Sequence, residues 1–312
     1  MLTRIADPGL NGAKLTPRVL PAVFIKFSVW LGLSFAWPAT IGGIALIGAV
    51  IFYVYRTTDD LLTCFYAGLC MAGNQVCSNC FSLLFEFKPF DGVALGLVGL
   101  TLAASCVSPI ATGLLAFCSL WSDERSLISL MLIATVLFIV KPADASRSHR
   151  LLFSIGLALV GYIISRPMIS WLAGWGSQDL SMLGTSVLSA TLPFSGLVPW
   201  LSLEGAVILV IAVFRELSSR QEWYRSAVLA AALALAWASC LVVLDISRAC
   251  CFLFVVIPLS IYLLSTFSVS RQELRRLTLY SAAISILAPN IYVIAGVVLN
   301  IIPSWAMLLL NT

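Results

Sequence analysis

Residues 241–266 read LVVLDISRACCFLFVVIPLSIYLLST, a charged couple followed by a run, 249–266, without a single Asp, Glu, Lys or Arg. At about 1.5 Å per residue, an eighteen-residue helix is about 27 Å long, close to the hydrocarbon thickness of a bilayer. A soluble helix of that length would show a polar face, and this one has none. The run therefore reads as a membrane span, and Asp245 and Arg248 stand at its rim. A spacing of three places both side chains on one helical face, within reach of an ion pair.

The same pattern extends outward through the chain. Of 312 residues, 61% are hydrophobic and 10% charged, against roughly 45–50% apolar and about 25% charged in soluble domains. This composition excludes an ordinary soluble protein and predicts one all-α polytopic transmembrane bundle over residues 1–312. Apolar runs at roughly 27–55, 62–86, 92–120, 126–140, 151–165, 198–214, 226–244, 249–266 and 278–299 give about nine spans. Pro38 and Pro109 fall near the middles of the two longest runs, which read as single kinked crossings. The last stretch, IIPSWAMLLLN, is too short to span and suits the membrane interface.

Basic residues orient the bundle. With nine single crossings and the amino terminus inside, the inner face holds Arg4, Lys14, Arg18, Lys88, Lys141, Arg147, Arg150, Arg215, Arg220, Arg225, Arg271, Arg275 and Arg276. The outer face holds Arg56, Arg125, Arg166 and Arg248. Residues 1–18 read as a retained cytoplasmic tail, since they lack the apolar core of a signal peptide.

Several function classes drop out. The net charge of +4 is spread over short connections, so no basic stripe exists for nucleic acid. A single histidine, His149, excludes a His-built zinc or iron site and bis-imidazole haem. The nine cysteines lie in apolar runs and behave as small hydrophobes. Cys77-Ser-Asn-Cys80 is a lone C-x-x-C without a second pair, and reads as packing.

On the predicted outer face, four connections bring charge together: Asp59 and Asp60, then Asp123, Glu124 and Arg125, then Arg166, then Asp245 and Arg248. Arg248 can grip a phosphate bidentately while Asp245 holds the guanidinium. Asp59 and Asp60 suit a general base, or carboxylates holding a Mg²⁺ or Mn²⁺ that bridges a lipid phosphate. Thr57 to Asp60 equally suit the capping of the next helix. Glu204 lies inside a span, at a depth where a charge costs at least about 2.5 kcal/mol, and such a residue is functional by default. Gln75, Asn79, Ser82 and Glu86 recur on one helical face of the second span, as cavity lining or as interhelical hydrogen-bond partners. The connection 167–197 is long, and its Gly and Pro permit a re-entrant fold or a lid.

This pattern resembles the C-type glycosyltransferases, polytopic enzymes that use polyprenyl-phosphate-linked sugars on the outer side of the membrane. The residues that carry the resemblance are the acidic pair Asp59 and Asp60, the Lys141-Pro142 ending of MLIATVLFIVKP, and DISRACCFLFVVIPLSIYLL. O-antigen polymerases of surface-glycan assembly look similar as well. The resemblance implies a multi-pass protein of the bacterial inner membrane that meets membrane lipid and a polyprenyl-phosphate-linked sugar. It implies Asp59 or Asp60 as the base and Arg248, with Arg125 or Arg166, on the departing phosphate. Two other readings fit the same residues. One is a transporter or lipid-linked glycan flippase built around Glu204; the other is an accessory membrane subunit that docks through 167–197.

Overall fold

The computed structural model describes residues 19–34, 37–81, 89–140, 145–172, 185–243, 245–288, 290–294 and 297–302. The described chain is helical apart from one carboxy-terminal hairpin. Trp37–Thr58, Ser146–Ile169, Val187–Ser219, Trp223–Leu241 and Ile246–Thr266 are long and apolar enough to cross a membrane. Polarity is inverted relative to a soluble fold. Trp30, Leu61, Ile110 and Trp171 are at least 75% exposed, while Asp91, Asp123, Arg125 and Glu204 are at most 7% exposed. Such an exterior suits lipid, and the chain is an integral membrane protein.

The helices are α1 (Val19–Trp30), α2 (Trp37–Thr58), α3 (Leu61–Gly73), α4 (Gln75–Phe81), α5 (Pro89–Ser105), α6 (Pro109–Ser122), α7 (Ser126–Ile139) and α8 (Ala145–Leu172). They continue as α9 (Thr185–Thr191), α10 (Val198–Leu203), α11 (Val207–Ser219), α12 (Trp223–Leu241), α13 (Ile246–Cys250), α14 (Val256–Thr266) and α15 (Arg271–Leu287). Short 3₁₀ turns join α10 to α11 and α13 to α14.

Side-by-side contacts give the direction of each helix. α2 and α5 run parallel and touch backbone to backbone: a Cβ added to Gly42 would lie 2.1 Å from the Gly92 carbonyl, and one added to Gly96 would lie 2.5 Å from the Gly42 carbonyl. Small residues at this spacing let two helices close on one another in lipid, where dispersion must replace the hydrophobic drive. α6 runs back, and pairs with α8 from Gly113 beside Ser154 to Trp121 edge-on to Tyr162. α3 runs parallel to α15, from Asp60 at Arg275 to Gly73 at Ile286. One end of the bundle thus carries the start of α5, the α6–α7 junction and α13. The opposite end carries Asp60, the α5–α6 junction and the starts of α12 and α15.

Several expectations are corrected here. The run 92–120 is not one crossing but the hairpin α5–α6. Ser108 caps α6 through the Ala111 N–H, and Pro109 takes its first position, where a missing N–H costs nothing. The run 27–55 likewise divides, because Pro38 sits in the first turn of α2 while Val19–Trp30 is a separate helix. The span expected at 278–299 ends at Leu287, and Asn290–Ile294 pairs antiparallel with Val297–Ile302. Those segments are rich in β-branched residues, which favour the pleated form. The long connection 167–197 is partly helical: α8 continues to Leu172 and α9 begins at Thr185. Residues 1–18 and 173–184 lie outside the described residues.

Candidate functional site

Two polar assemblies interrupt the apolar interior, one at an end of the bundle and one deep within it. The end assembly is a ladder of alternating charge. Arg125 grips Asp123 through Nε to Oδ1 (2.9 Å) and Nη2 to Oδ2 (2.6 Å), and its Nη2 also donates to Asp91 Oδ1 at 3.0 Å. Arg248 grips the other side of Asp91, with Nε and Nη2 each 2.5 Å from a carboxylate oxygen. Asp245 completes the series, with Oδ2 3.6 Å from Arg248 Nη1 and Oδ1 accepting the Arg248 N–H as the cap of α13.

Local structure sets each member. Asp91 occupies the first turn of α5, where a carboxylate meets the positive end of the helix dipole. Asp123 ends α6 and folds back to accept the Arg125 N–H at 3.0 Å. The Arg125 guanidinium lies 5.3 Å from the Phe252 ring centre, a cation–π geometry. Three carboxylates face two guanidinium groups, and bidentate pairing repays much of the cost of removing them from water. The ladder ties α5, the α6–α7 junction and α13 into one end-plate. Arg166 stands at this end too, 5.6 Å over the Tyr162 ring, which is itself edge-on to Trp121.

Asp59 and Asp60 lie at the opposite end. From Gly42, beside Gly92, to Thr58 the helix rises about 24 Å at about 1.5 Å per residue. Coupling in water fades over about 10 Å, so the acidic pair does not share a site with Arg125 and Arg248. Asp60 caps α3, accepting from the Thr63 N–H and Oγ1, and binds Arg275 in a fork at 2.9 and 2.6 Å. The Arg275 bonds, aided by Thr63, hold its carboxyl well below the usual carboxylate range. Asp59 is exposed, with φ +50° where the chain reverses between α2 and α3. Among the described residues no group of three or more His, Cys, Asp or Glu gathers to hold a metal ion.

The deep assembly is centred on Glu204. Here the segment from α10 to α11 breaks, with Glu204 at φ +45° and ψ −122°. Non-glycine residues rarely adopt this conformation, and such strain clusters at functional positions. A second break faces it, since α3 stops at Gly73 and α4 restarts at Gln75. The N–H that the break frees on Gln75 donates to Glu204 Oε1 at 3.1 Å. Asn74 Oδ1 accepts from the Val76 N–H at 3.0 Å, so its amide nitrogen is turned inward.

Helix α15 forms the third wall. A Cβ on Gly205 would lie 1.9 Å from the Ser281 carbonyl, and one on Gly73 would lie 2.6 Å from the Ile286 nitrogen. Cys70 Sγ lies 3.4 Å from Ser285 Oγ. Glu204 Oε2, Asn74 Nδ2 and Ser281 Oγ are buried without a hydrogen-bond partner among the described residues. Buried polar atoms in native folds are nearly always satisfied, so three in one small region mark it as unusual.

Spacing in the sequence found Asp245 with Arg248, and the charge inside an apolar run found Glu204. Asp91 was missed because it opened a run read as one crossing, which put it on the face opposite Arg125. The Ser108-Pro109 helix-start signature could have corrected this. Of the second-span stripe, Gln75 reaches the deep site. The side chains of Asn79, Ser82 and Glu86 lie outside the described residues. Compared with known protein families, with curated proteins and with solved structures, the chain matches none.

Proposed function

We propose that this protein is a secondary transporter of a small polar solute, working by alternating access around Glu204. The observation that carries the reading is the meeting of two broken helices at a strained, buried carboxyl. Discontinuous helices place backbone polar groups and half-helix ends at the bilayer midplane, where transporters bind their cargo. Irregular backbone at that depth is tolerated only where protein or a wet cavity surrounds it.

The reading extends to topology. From Trp37 to Leu287, α2, α3 with α4, α5, α6, α7, α8, α9 to α11, α12, α13 to α14, and α15 make ten passes. The Asp60 end carries Arg56, Arg147, Arg150, Arg215, Arg220, Arg225, Arg271, Arg275 and Arg276; the ladder end carries Arg125, Arg166 and Arg248. By the positive-inside bias the Asp60 end faces the cytoplasm. The ladder then closes the outer face.

Proteoliposomes bearing the full chain, incubated in a filtered cytosolic extract, accumulate at least one small polar solute. Those bearing Glu204→Gln do not. Identical vesicle contents for both chains defeat the proposal.

A second reading keeps surface-glycan chemistry, favoured by the gathering of Arg125, Arg166 and Arg248 at one end. In it these residues hold the phosphate of a polyprenyl-linked sugar, and the base comes from that end rather than from Asp59 or Asp60. Loss of a surface glycan with Arg248→Lys but not with Asp60→Asn favours it over transport.

A further inference from the structure

Glu204 holds its place without a counter-charge. Its described hydrogen bond is the one that Oε1 accepts from the Gln75 N–H, and Oε2 has no partner among the described residues. The groups packed around it are Cys70 of α3, Asn74 at the break, Gln75 of α4, and Ser281 and Ser285 of α15. Of these only the Cys70 thiol titrates. Arg275 on α15 is about 9 Å further along that helix from Ser281, and it is engaged by Asp60. Arg215 on α11 lies eleven residues from Glu204, about 16 Å along the helix.

The kind of ligand follows from this donor set. Sodium, calcium or magnesium would need several oxygen ligands converging on one point. Here one carboxylate stands among neutral groups, with no cluster of three or more His, Cys, Asp or Glu among the described residues. The Gln75 N–H points at the carboxylate, and Asn74 offers NH₂ because its oxygen is taken by Val76. A single carboxylate is a poor cage for a metal cation, while a carboxyl that takes up a proton becomes neutral and turns its second oxygen into a donor. An ionised carboxylate left here would be an uncompensated buried charge, the most costly state available to the site.

We infer that Glu204 is the proton-carrying residue of this protein and that the ion coupled to solute movement is H⁺ rather than a metal cation. The inference rests on the transport reading. A proton from water on one face bonds to Oε2, and that O–H bond breaks to water on the other face when the breaks at Asn74 and Glu204 rearrange. No redox partner is needed.

The test is labelling of the full chain in liposomes with dicyclohexylcarbodiimide, which attacks protonated carboxyls in apolar surroundings, read by mass spectrometry. Labelling is expected at Glu204, several-fold stronger in mildly acidic than in alkaline buffer, and unchanged when sodium or potassium replaces choline. Glu204→Gln abolishes the label, and its unchanged thermal midpoint shows that the chain still folds. Protection by sodium or potassium would overturn the proton assignment and leave the transport reading standing. Absence of label in every buffer, with the chain folded, would mean a sealed carboxyl and would overturn both.

Discussion

Glu204 combines a backbone conformation that costs about 1–3 kcal/mol with a carboxyl oxygen that has no described partner. A merely structural residue would have been served as well by glutamine, which keeps the acceptor for Gln75 and carries no ionisable group. Glu204→Gln is therefore expected to match or exceed the wild-type thermal midpoint in detergent while losing function. The ladder behaves in the opposite way. Removing one partner of a buried pair costs about 3–5 kcal/mol because the other charge is left uncompensated. Arg125→Ala removes the guanidinium that forks Asp123 and also bonds Asp91 and is expected at the top of that range. Arg248→Ala, at a more exposed position, is expected at the bottom, and equal midpoints for the two variants would contradict the geometry.

Asp60 offers a pH test at the other end. Its folded value lies below its unfolded value, so its contribution is fully present above the ordinary carboxylate range and is lost as the pH falls toward the folded value. Asp60→Asn, which keeps a good helix cap, is expected to lower the thermal midpoint at neutral pH through loss of the charged fork to Arg275. The gap from wild type should close as the pH drops below about 4. A gap that persists in acid would deny the Arg275 bond its role.

At the scale of elements, close packing of glycine-bearing helices sets the frame. Gly42→Ala or Gly92→Ala forces a methyl into the backbone of the neighbouring helix, and overpacking of this kind costs about 1–3 kcal/mol or more. Gly48, on the same helix, meets nothing within 4 Å, so Gly48→Ala is expected to be neutral or to stabilise by up to about 1 kcal/mol. Thermal midpoints that move in the same direction would contradict the α2–α5 contact. Elements were legible in the sequence wherever charge or Pro bounded an apolar run, as at Trp223–Leu241 and Ile246–Thr266. They were misread where two short helices met without a charge between them. Length alone could not divide 92–120, and only Ser108 with Pro109 carried the signal. The break at Asn74 is marked only by the Gly73-Asn74 pair, and it is held by tertiary partners: Glu204 at Gln75, and α15 against Gly73.

For the whole molecule, the hairpin α5–α6 decides which residues share a face. Read as one crossing, the run 92–120 places Asp91 opposite Arg125; folded as a hairpin, it brings them together. Topology reporters fused after Ser108 and after Glu124 are expected to lie on opposite faces, with Ser108 sharing the face of Thr58. Both reporters on one face would contradict the fold. Membership of a membrane class, the Asp245–Arg248 pair and the anomaly of Glu204 were all legible, because each needs only local spacing. The separation of Asp60 from the ladder was not, since it depends on the number of passes between them.

On the transport reading the Glu204 site opens in turn to both faces. The decisive measurement is Ser281→Cys in a background where the nine native cysteines are replaced, probed from each side of sealed vesicles with a membrane-impermeant thiol reagent. Modification from both sides, each blocking the other, is the predicted result; protection from both sides, in a chain that remains folded, would contradict it.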